Sequence, residues 1–115
     1  IGMRVSAHLL IRRTGEIIQY VPFTKRAWHA GQSHFEGQEG CNDFSIGIEL
    51  EGADDIPYTM PQYQALAQVT QSLIRSYPAI TRDRIVGHSD IAAGRKTDPG
   101  PAFDWEFYFS SNDRY

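Results

Sequence analysis

Between Phe44 and Tyr77 the spacing of the apolar residues changes from a period of two to a helical one, which confines the chain to folds in which a helix lies on a sheet. Phe44, Ile46, Ile48 and Leu50 share one face of an extended run, while Ser45, Gly47, Glu49 and Glu51 share the other, as in a strand with one packed and one polar side. Gly47 leaves space beside Glu49 on that polar face, as happens where a ligand approaches a backbone closely. Thr59 and Gln62 then form a capping box, and Pro61 is tolerated in the first helical turn. Tyr63, Leu66, Ala67, Thr70, Leu73, Ile74 and Tyr77 make one broad stripe until Pro78 stops the helix.

The remaining segments fit around that pair. Val5, Ala7, Leu9 and Ile11 alternate with Arg4, Ser6, His8 and Leu10, predicting a strand; Thr14-Gly15 turns the chain, and Glu16 to Val21 returns as a hairpin partner ended by Pro22. Residues 24–43 are rich in Gly, His, Gln and Asn without a period and read as a long loop. Arg84 to Gly87 reads as a short strand carrying His88 at its end, and Phe103 to Phe109 as a final aromatic helix. The expected class is α/β, a central mixed β-sheet flanked by helices. With 115 residues, 41% of them hydrophobic, a single domain spanning residues 1–115 is expected. The chain opens at Ile1 inside a strand-like run, so a segment upstream is expected as well.

A net charge of −3 with scattered Lys and Arg argues against nucleic acid, and no apolar run reaches membrane-spanning length. Cys41 is the sole cysteine, so an internal disulfide is excluded, and it reads as a small loop residue. The chemistry gathers elsewhere. Gly87-His88-Ser89-Asp90, followed by Lys96-Thr97-Asp98-Pro99-Gly100-Pro101, places imidazole, carboxylate and ammonium groups in one short segment, a pattern that suits a metal-dependent site. Taken singly, each residue has a plainer reading. His88 could cap a strand end, Asp98 could satisfy turn amides, Lys96 could pair with Asp90, and Glu49 could join a surface salt bridge. Trp28, Phe103 and Trp105 are more often packing than sugar platforms.

Taken together, Val5-Ser6-Ala7-His8, Arg26-Ala27-Trp28-His29-Ala30-Gly31, Ile46 to Gly52, Gly87 to Asp90 and Arg95 to Gly100 resemble the N-acetylmuramoyl-L-alanine amidases of the peptidoglycan-recognition and phage-lysozyme superfamily. Asn42-Asp43-Phe44-Ser45 and Phe103-Asp104-Trp105 bring the chain nearest the 1,6-anhydro branch of wall recycling, the AmpD type. The resemblance implies a Zn2+ site with His88 and Asp98 as two ligands and a third, a histidine, upstream of this chain. It implies Glu49 and Lys96 as catalytic residues. Arg95 and Arg4 would meet stem-peptide carboxylates, and Trp28 and His29 would contact substrate. His8 reads as a hydrogen-bonded structural histidine and His34 as a solvated one, neither a good substitute for the third ligand.

The implied reaction is hydrolysis of the amide between (anhydro)N-acetylmuramic acid and L-alanine. A zinc ion meets the difficulty of that reaction by acidifying water and polarising the carbonyl. Glu49 is then the natural base, and Lys96 would neutralise the developing oxyanion, where losing a donor costs on the order of 100-fold to 1000-fold. A muropeptide substrate, a monomer and a cytoplasmic location are the accompanying expectations. The alternatives are a non-catalytic peptidoglycan-binding module and a secreted or phage wall-lytic amidase.

Overall fold

In a computed structural model of the chain, residues 7–23, 34–35, 38–39, 45–52, 56–87, 90 and 99–112 are described. A three-stranded mixed sheet is built from β1 (Leu9–Ile11), β2 (Ile17–Gln19) and β5 (Ile48–Leu50), in the order β2-β1-β5. β1 runs antiparallel to β2 and parallel to β5, with Leu10 opposite both Ile18 and Glu49. The central strand is the most deeply placed. Ala7, Leu9 and Ile11 are buried, as the alternation predicts.

The Arg12–Glu16 turn closes the hairpin through bonds from Arg12 N to Glu16 O and from Gly15 N to Arg12 O, each 2.8 Å. Gly15 takes φ +89°, and a Cβ there would sit 3.0 Å from both the Cβ and the carbonyl oxygen of Pro61. A side chain is therefore opposed twice, by the left-handed backbone and by the helix against which the turn rests.

That helix, α1 (Met60–Ser76), begins with the expected capping box. Thr59 Oγ1 accepts the Gln62 N–H at 3.2 Å, and Gln62 Oε1 accepts the Thr59 N–H at 3.0 Å. The same two side chains also fasten the helix to the sheet. Thr59 Oγ1 donates to the Arg13 carbonyl at 2.6 Å, and Gln62 Nε2 donates to the carbonyls of Ile11 and Glu51 at 3.2 and 2.8 Å. Glu51 completes the knot by accepting the Arg13 N–H at 2.9 Å. Gln62 is 0% exposed, so each of these bonds replaces one that water would otherwise make.

A second helix, α2 (Trp105–Asn112), lies against α1. Asp104 caps it, with Oδ1 accepting the Phe107 N–H at 3.0 Å. This places the helix start two residues later than expected and frees Phe103 to enter the core. There it stacks on Tyr63 at 5.3 Å and meets Trp105 edge-on at 4.8 Å. Phe103 and Trp105 are thus packing residues, and full burial of a Phe-sized side chain contributes roughly 1.5–3 kcal/mol. Thr70 Oγ1 gives its proton to the Leu66 carbonyl at 2.7 Å, so the buried Tyr108 hydroxyl, also 2.7 Å away, donates to Thr70.

Two further expectations need correction. The long loop over 24–43 contains a small antiparallel ladder, β3 (His34–Phe35) with β4 (Gln38–Glu39), too short for alternation to show in sequence. Arg84 to Gly87 is not a strand. A 3-10 turn occupies Arg82–Arg84, and the extended backbone after it has no ladder partner among the described residues. On the polar face of β5, Glu49 is half-buried and Gly47 is buried.

Candidate functional site

Glu49 is the one sequence-predicted site residue within the described part of the chain. It occupies the middle of β5, opposite Leu10, with the ladder continuing through Glu51 N–H to the Ile11 carbonyl at 2.9 Å. A residue so placed is held by main-chain bonds on both sides along its strand. Rigid strands locate a reacting group better than loops do.

The entry to β5 is fixed by His8. Its Nδ1 accepts the Gly47 N–H at 3.0 Å, and its own N–H donates to the Gly47 carbonyl at 2.9 Å. His8 is 1% exposed, and Phe23 packs beside its ring at a centroid distance of 6.0 Å. In a neutral imidazole one nitrogen accepts and the other carries hydrogen, so an accepting Nδ1 assigns the proton to Nε2. Neither nitrogen then offers a free lone pair to a metal. The structure bears out the reading of His8 as a hydrogen-bonded structural histidine.

His88, Lys96 and Asp98, together with Arg95, Arg4, Trp28 and His29, lie outside the described residues. Among the described residues no group of three or more His, Cys, Asp or Glu side chains is gathered for a metal ion. The described neighbours of the two expected ligands are nonetheless well anchored. Gly87, just before His88, is buried and donates its N–H to Asp90 Oδ2 at 2.9 Å, while the Asp90 N–H returns to the Gly87 carbonyl at 3.0 Å. Pro99, just after Asp98, receives a 2.8 Å bond on its carbonyl from the buried Tyr58 hydroxyl. An imidazole and a carboxylate, the residue types of His88 and Asp98, are donors that suit zinc. The sequence offers Asp90 as part of the Gly87-to-Asp90 motif and as a partner for Lys96, and Tyr58 carries no sequence signal, because its role depends on a contact between distant segments.

Residues 2–101 match the family model described as N-acetylmuramoyl-L-alanine amidase, and the chain belongs to that family. Within it the chain is similar to the AmpD type. It is 70% identical over 103 residues to the 1,6-anhydro-N-acetylmuramyl-L-alanine amidase AmpD of Salmonella typhimurium strain SL1344, a match covering 90% of this chain and 54% of that protein. The chain therefore spans about half the length of this curated relative. The fold agrees. A crystal structure of a selenomethionine AmpD derivative superposes with a TM-score of 0.91 at 64% identity, covering 94% of this chain and 60% of that one. The amidase AmiD from E. coli, solved with the substrate anhydro-N-acetylmuramic acid-L-Ala-D-gamma-Glu-L-Lys, gives a TM-score of 0.86 at 36% identity, covering 94% of this chain and 48% of that one.

Proposed function

We propose that this protein is a zinc-dependent amidase that cleaves the bond between (anhydro)N-acetylmuramic acid and L-alanine in peptidoglycan fragments, acting as a cytoplasmic monomer in cell-wall recycling. The observation that carries this reading is the 70% identity to AmpD over 90% of the chain. The anhydromuramyl peptide held by AmiD, a protein of similar fold, supports the substrate class. Among the described residues no helix is long and apolar enough to cross a membrane.

His88 and Asp98 would hold the zinc, which when bound supplies a Lewis acid that polarises the amide carbonyl and acidifies water. Glu49 takes the proton from the attacking water and passes it to the leaving alanine nitrogen, a role that suits a half-buried carboxylate fixed in a strand. Lys96 would neutralise the negative charge that develops on the carbonyl oxygen. Arg95 and Arg4 would pair with carboxylates of the stem peptide, and Trp28 and His29 would contact substrate.

Incubating the intact protein with anhydromuramoyl-L-Ala-γ-D-Glu-L-Lys and weighing the products tests this directly. The expected outcome is a free peptide with an N-terminal alanine and a released anhydromuramoyl acid. Tight binding without cleavage would instead identify a peptidoglycan-binding module.

A further inference from the structure

We infer that His8 is a positioning residue for Glu49, its imidazole fixing the register at which β5 presents that carboxylate. The inference rests on the reading of Glu49 as the base. β1 and β5 are parallel, so no tight turn sets their alignment, and a slip of one residue would carry Glu49 to the opposite face of the sheet. Something other than a turn must fix the pairing, and His8 is placed to do so. It holds both polar groups of Gly47, the N–H through Nδ1 at 3.0 Å and the carbonyl through its own N–H at 2.9 Å. Its ring thereby takes the place of a main-chain acceptor where the β1–β5 ladder begins, and Gly47 lies two residues before Glu49 on the same face.

His8 is anchored from the other side as well, where its carbonyl accepts the Tyr20 N–H at 2.9 Å. A buried imidazole at a position flanked by Ala7 and Leu9 carries a desolvation cost that an aliphatic side chain would not. The acceptor it supplies to Gly47 is what such a side chain could not replace.

The test uses two variants of the intact protein that are close in shape. His8→Asn keeps an oxygen near the position of Nδ1, whereas His8→Leu has no acceptor. His8→Leu should lower kcat by about tenfold or more with little change in KM, since displacing a reacting group by ~1 Å can cost on the order of 100-fold. Hydrogen exchange at the Gly47 amide should quicken in the same variant. His8→Asn should restore both slow exchange and most of kcat. A role in stability alone would lower the unfolding temperature of both variants and leave kcat of the folded protein intact. Full kcat in His8→Leu, or a tenfold loss in His8→Asn, would overturn the inference. Glu49→Gln, assayed alongside, separates the two levels: if it keeps full activity, the reading of Glu49 as base fails and this inference falls with it.

Discussion

The side-chain amide of Gln62 donates to the main-chain carbonyl of Ile11 at 3.2 Å, joining the first turn of α1 to the central strand across fifty-one residues of sequence. Its second donor bond, to the Glu51 carbonyl, brings in the end of β5. One buried residue thus ties the helix to β1 and to the end of β5, the strand that carries Glu49.

Replacing Gln62 by Leu removes all of these bonds: the Ile11 carbonyl keeps the Glu51 N–H, while the Glu51 carbonyl and the Thr59 N–H lose the partner that Gln62 gave them. Each buried polar group so orphaned costs about 1–3 kcal/mol, offset in part by the more apolar side chain, so a net loss of roughly 2–4 kcal/mol is expected. Urea unfolding of the variant measures it. A change below about 0.5 kcal/mol, as for an ordinary surface substitution, would show that the knot contributes little.

Gly15→Ala tests the docking of the hairpin turn on α1. The positive φ and the 3.0 Å approach to Pro61 act in the same direction, so destabilisation should exceed the roughly 1 kcal/mol usual for a left-handed position alone. Thermal unfolding with unchanged or raised stability would contradict the close approach.

Asp83 gives a prediction in pH. The Thr81 hydroxyl donates to its carboxylate, its own backbone N–H adds to this, and Arg84 contributes charge, so its pKa lies below the ordinary 3.8. A lowered folded value means that Asp83 favours folding above the ordinary aspartate range, and that this contribution is lost as pH falls through the lowered value. In an NMR titration the Asp83 midpoint should rise on Thr81→Val. An unmoved midpoint would remove Thr81 as the main cause.

Glu49→Gln keeps the shape of the side chain and removes its basicity. Turnover of anhydromuramoyl-peptide should fall by about 100-fold to 10,000-fold, the span of general acid-base catalysis, with zinc content and unfolding temperature little changed. Loss of zinc in this variant would make Glu49 a ligand rather than a base.

Local pattern and its limits both show in particular residues. Thr59 and Gln62 announced the start of α1 because a capping box is complete within one turn. The apolar alternation of Leu9 and Ile11 likewise marked the central strand. Phe103 was assigned to a helix because aromatic content carries no phase, and only the Asp104 cap reveals where α2 starts. The strand expected at Arg84 to Gly87 failed because an extended backbone needs a partner, and pairing is a long-range property. The strand that carries Glu49 is legible from the alternating run around it. The grip of His8 on Gly47 and of Tyr58 on Pro99 was not, since each joins segments about forty residues apart.

The dependence on zinc is tested most directly by removing the metal from the intact protein with a chelator, confirming its absence by elemental analysis, and assaying cleavage of anhydromuramoyl-peptide before and after zinc is returned. Turnover should vanish in the metal-free protein and return with stoichiometric zinc, as a reaction dependent on a Lewis acid requires. Cleavage of the muramoyl-alanine bond at the original rate by verified metal-free protein would contradict it.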